Sequence, residues 1–98
     1  PKRAFCGCGA SVHLFGQPIR ELFLARNWLR FPRAAPAHNM AGVRRGHVFI
    51  LKQHVRDDIW LVFDANSGGA RTRLHERSIR GYAIVNPAAA GQAFARAP

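Results

Sequence analysis

Two apolar runs dominate the hydrophobic pattern of this chain. Val48 to Leu51 and Ile59 to Phe63 are unbroken stretches rich in β-branched and aromatic residues. Each is too short for a helix, and that length and composition predict strands buried on both faces. The polar segment His54 to Asp58 separates them and predicts the turn of an antiparallel hairpin, centred near Val55 and Arg56. Upstream the period changes. Ile19, Leu22, Phe23, Trp28 and Leu29 recur at spacings of three and four, with Arg20, Glu21 and Arg30 off that face. With Pro18 in the first turn, this predicts a helix over Ile19 to Leu29, stopped by Phe31-Pro32-Arg33. A shorter helix is predicted over residues 6 to 16, opening near Cys6 and ending at Gly16.

The remaining pattern is weaker. Residues 32 to 46 read as a long loop, with Val43 placed at the start of a short strand. Asn66-Ser67-Gly68-Gly69 predicts a turn, Ala70 to Leu74 a third strand and Glu76 to Arg80 another turn. Gly81 to Asn86 predicts a final strand ended by Pro87. Helices first and strands after them give an α+β plan: two N-terminal helices packed on an antiparallel sheet of about four to five strands. Residues 1 to 87 form the one domain expected, and 88 to 98 an alanine-rich C-terminal tail. Trp28, Trp60 and Tyr82 fall at core positions, which disfavours an aromatic platform for stacking bases.

Composition adds a partner class. The 98 residues carry a net charge of +10, mostly as arginine, and 48% of them are apolar. The apolar fraction argues for a folded domain rather than disorder. No window approaches the ~18 apolar residues of a membrane-spanning helix. The charge favours a polyanionic partner, with Arg44, Arg45, Arg71 and Arg73 the expected contacts. Nucleic acid is one such partner, motivated by charge alone, and its binding would weaken steeply with salt. The only cysteines are Cys6 and Cys8, too close in sequence for an unstrained disulfide. Cys-x-Cys is also tighter than the usual zinc-ligand gap and has no matching second pair, so neither metal nor cofactor is expected.

The order of three short motifs is informative. A cysteine stands at a predicted helix start. Gly46-His47-Val48-Phe49-Ile50 opens a strand, and Asp64-Ala65-Asn66-Ser67-Gly68 closes the next one. This layout resembles the papain-like cysteine amidase and peptidase domains of the NlpC/P60 and CHAP group, which are bacterial cell-wall hydrolases. Arg71-Thr72-Arg73 with Arg77-Ser78-Ile79-Arg80-Gly81-Tyr82 resembles the closing segment of small proteobacterial members. The resemblance implies a papain-like fold, cleavage of a peptidoglycan amide and a periplasmic or extracellular location. It also implies a nucleophile–base–orienter set drawn from those motifs.

The residue chemistry fits those roles. A thiol at a helix N-terminus is activated by the positive end of the dipole, which makes Cys6 the first candidate nucleophile and Cys8 the second. His47, on a rigid strand, is the candidate general base that shuttles the proton in thiol acyl transfer. A third group must hold its ring, and Asn66 is the first candidate, with Asp64 the rival because register cannot be fixed from sequence. His13, His38, His54 and His75 lie in the first helix, in loop-like segments or beside the turn, and are weaker candidates. In the resembling family bulky residues follow the cysteine, whereas here Gly7-Cys8-Gly9 does. That difference motivates the alternative of an inactive binding or assembly module, as in a phage-like or secretion structure.

Overall fold

In a computed structural model of the protein, residues 5–17, 19–22, 24–66 and 71–88 are described. For residues 5–8, 65–66 and 71–73 the description covers the backbone alone. Helix α1 (Phe5–Phe15) stops where predicted: Gly16 adopts φ 77°, a left-handed turn natural to glycine, while its N–H still bonds Val12 O at 2.9 Å. Buried Ser11 then folds the chain back. Its Oγ donates to Gln17 O at 2.7 Å and accepts from Ile19 N–H at 2.8 Å.

The second predicted helix is replaced by two 3-10 segments, Arg20–Leu22 and Ala25–Arg30, parted at Leu24, whose backbone is extended. The reason lies in two side chains. Trp28 Nε1–H donates to Leu22 O at 2.9 Å, and Asn27 Nδ2–H donates to Glu21 O at 2.7 Å. These carbonyls would otherwise accept backbone N–H groups one α-turn ahead. Seating the fully buried Trp28 indole thus takes precedence over helical continuity.

Five antiparallel strands follow: β1 (Ala41–Arg44), β2 (His47–Arg56), β3 (Ile59–Asn66), β4 (Arg71–Ser78) and β5 (Ala83–Val85), in sheet order β4-β3-β2-β1-β5. The hairpin between β2 and β3 turns at Asp57-Asp58, with Asp57 at φ 44°, rather than at Val55-Arg56. Strand β4 runs on through Ser78, so the turn expected over Glu76 to Arg80 is confined to 79–82. The predicted turn at 67–69 and the tail beyond residue 88 lie outside the described residues.

That four-residue link joins the two edge strands. Five Cα steps reach at most ~18 Å. The edges of a flat five-stranded sheet would stand about 19 Å apart. The sheet therefore curls, and the link passes across one face, where Ile79 and Tyr82 pack with Phe49, Leu51, Trp60, Val62 and Ile84. The opposite face carries Val43, Val48, Ile50 and Val85, covered by α1 and the 3-10 segments through Ala10, Leu22, Trp28 and Phe31. Alternation along Val48–Leu51 explains why a continuous apolar run serves both cores. Residues 32–34 pair with the free edge of β5 through Ala34 N–H to Ile84 O and Asn86 N–H to Pro32 O. Among the described residues no helix is long and apolar enough to cross a membrane.

Candidate active site

At one end of the curled face three side chains meet. His47 begins β2, Asp64 lies near the end of β3, and His75 is in β4, so the carboxylate stands between two histidines on its flanking strands. His75 Nε2 is 3.0 Å from Asp64 Oδ2 in a well-formed hydrogen bond. His47 Nε2 is 3.3 Å from Oδ1. That second approach is an ion-pair contact without good hydrogen-bond alignment, and among the described residues Oδ1 has no hydrogen-bond partner. The Asp64 side chain is 3% exposed, against 23% for His47 and 27% for His75. The imidazoles thus shield the carboxylate while each keeps an edge toward solvent.

Register explains how Asp64 comes within reach of His47. The turn pairs Arg56 with Ile59, and an unbroken ladder from there would bring Asn66 level with Phe49. Two one-residue shifts, between Leu51 and Gln53 and between His54 and Arg56, change this. Beyond them Ile50 pairs with Phe63, so Asp64 comes level with Phe49, on the face that His47 shares. The diagonal step from Phe49's partner to His47 is within reach of an imidazole.

Burial pushes the Asp64 carboxyl toward the neutral form. The hydrogen bonds and positive charge offered by His47 and His75 outweigh it and leave the carboxyl below its usual range. Asp64 is therefore ionised at neutral pH, with His75 Nε2–H bonded to Oδ2 and His47 Nε2 facing Oδ1. A ring that donates through Nε2–H carries its basic lone pair on Nδ1. For His47, Nδ1 is then the nitrogen that would take a proton from a nucleophile.

Beside His47 stands a stack of cations and rings. The His47 and Phe49 ring centroids are 5.8 Å apart, and Phe49 and Tyr82 are 4.7 Å apart. The Arg77 guanidinium lies 4.8 Å from both the Phe49 and the Tyr82 ring and donates through Nη2 to the Tyr82 hydroxyl at 3.0 Å. Arg44 lies 4.9 Å from the other partner of that stack, the Tyr82 ring. Arg44, Arg45, Gly46 and His47 line a shallow open hollow at the β1–β2 turn. These cations make the surroundings of His47 electropositive.

The nucleophile candidates stand elsewhere in the chain. Cys6 and Cys8 lie in the first turns of α1, and their side chains lie outside the described residues, as do those of Asn66, Arg71 and Arg73. The part of α1 whose packing is described, Ala10, Leu14 and Phe15, rests on the Val48–Ile50 face, opposite His47. On that face His13 stacks on Phe63 at 3.9 Å, and Lys52 Nζ donates to His13 Nε2 at 2.9 Å and to Asn39 Oδ1 at 2.7 Å. Among the described residues no cluster of three potential ligands could hold a metal ion.

His75 is the site residue that the sequence reading underrated. Its segment looked like the approach to a turn, yet β4 extends over it. The available signal was the two-residue alternation of Arg73, His75 and Arg77, which sets His75 on one face with its neighbours. No protein family, curated protein or solved structure compared with the chain matches it.

Proposed function

We propose that this chain is a small papain-like hydrolase domain acting on amide bonds of peptidoglycan or a similar anionic polymer. The carrying observation is His47 Nε2 held 3.3 Å from the buried, ionised Asp64. In the proposed reaction the Cys6 thiol gives its proton to His47 Nδ1, and the thiolate attacks the amide carbonyl. Asp64 stabilises the imidazolium so formed. The leaving amine takes that proton, and water then hydrolyses the thioester. Arg44 and Arg45, beside His47, would hold the anionic polymer. Acting together requires the N-terminal turn of α1 to bring its thiol round to His47.

The placement of Ala10, Leu14 and Phe15 opposite His47 favours a second reading, in which the same surface binds its polymer or a protein assembly without cleaving it. Incubation with purified peptidoglycan separates the two. The hydrolase releases muropeptides, and Cys6→Ala or His47→Ala abolishes release while leaving binding to the sedimented wall intact. Retention on the wall with no release by the unmodified protein would overturn the hydrolase and leave the binding module.

A further inference from the structure

We infer that His75 is a positioning residue of the His47–Asp64 couple, and that the two histidines titrate as one unit through the carboxylate between them. This rests on the hydrolase reading only for the purpose of the couple. The coupling itself follows from geometry. Asp64 offers one oxygen to each ring: Oδ2 is bound by His75 at 3.0 Å, while Oδ1 faces His47 at 3.3 Å without a well-aligned bond. The better-made bond fixes the plane of the carboxylate and so determines where Oδ1 points. Without His75, the contact that the described residues leave to resist rotation of the Asp64 side chain is the weaker one.

The charges couple as well as the positions. One carboxylate balances one imidazolium. A second proton arriving on the other ring meets a carboxylate already neutralised, with Arg77 on β4, Arg44 on β1 and Tyr82 on the closing link close by. α1 contributes none of its described charged groups to this face, because His13 sits on the other one. A proton on either ring therefore opposes a proton on the other.

The test is an imidazole proton–nitrogen NMR titration of the intact chain, in the unmodified protein and in His75→Gln. The glutamine amide can still donate to Oδ2 but cannot carry a proton. In the unmodified protein both rings are expected to be Nε2–H tautomers at high pH, with each curve showing an inflection caused by the other. In His75→Gln, His47 should keep its tautomer, titrate in a single step and shift upward by about half a pH unit or more, roughly threefold in proton affinity. A His47 curve that superimposes on that of the unmodified protein would overturn the inference. Independent single-step curves for both rings in the unmodified protein would do so too, even if the variant failed to fold. Coupled curves in a protein that releases no muropeptides would remove the hydrolase and leave the coupling standing. Wall digestion with uncoupled curves would do the reverse.

Discussion

Replacing Asp64 by asparagine tests the centre of the site with almost no change of shape. The carboxylate is buried, with His75 bonded to one oxygen and His47 in ion-pair contact with the other. Asparagine has a single acceptor oxygen, so one imidazole would face an NH2 group, donor against donor, and would have to move its proton to Nδ1. Losing a charge-assisted hydrogen bond at a buried acceptor costs about 1.5–3 kcal/mol. The histidine partners are about a quarter exposed, and solvent screening brings the expected loss to about 2 kcal/mol. Urea unfolding at neutral pH would show this as a fall in midpoint of about 1–2 M for a slope of ~1–2 kcal/mol/M. The pH dependence has a definite sign. The folded carboxyl lies below its usual range, so its contribution is fully present above the unfolded value of about 4 and is lost as pH falls through the folded value. The gap between the two proteins should therefore close in acid. An Asp64→Asn midpoint equal to that of the unmodified protein at pH 7, or a gap unchanged at pH 2.5, would refute the reasoning.

Three further outcomes follow from the packing. His13 is driven toward its neutral form by burial first, then by Lys52 and His38, so its contribution is whole above about pH 6.5 and is lost as pH falls through its depressed folded value. Urea midpoints at pH 7.5 and 5 should accordingly differ less in His13→Gln than in the unmodified protein. A Cβ on Gly42 would lie 2.5 Å from the Phe49 ring, so Gly42→Ala should cost about 1–3 kcal/mol by overpacking, read from the same midpoints. Trp28→Phe removes the indole bond to Leu22 O and buried volume beneath β1; a loss of about 1–3 kcal/mol is expected, with the helical circular dichroism altered over the 3-10 segments.

The hairpin was legible because Val48–Leu51 and Ile59–Phe63 must be buried wherever they fold, and burial leaves a mark in composition. The helix over Ile19–Leu29 was legible as an apolar stripe but not as a helix type. Its 3-10 geometry follows from where the Trp28 and Asn27 side chains find acceptors, which is a tertiary outcome. The approach of Asp64 to His47 depends on two register shifts near Lys52 and Val55, and no turn or apolar signal in the sequence marks them. His75 was hidden because β4 alternates arginine with small polar residues and has little apolar content beyond Leu74. Its strand character comes from pairing with β3 rather than from its own composition.

The meeting of thiol and histidine is what the proposed chemistry most depends on. It is read most directly from the rate of Cys6 carboxamidomethylation by iodoacetamide across pH 5 to 10, in a Cys8→Ser background with and without His47→Ala. If His47 activates Cys6, labelling should rise well below the ordinary thiol value of about 8.5, and His47→Ala should return the profile to that value. A Cys6 profile centred near 8.5 and unchanged by His47→Ala would contradict the account and remove the thiol–histidine couple on which the proposed cleavage depends.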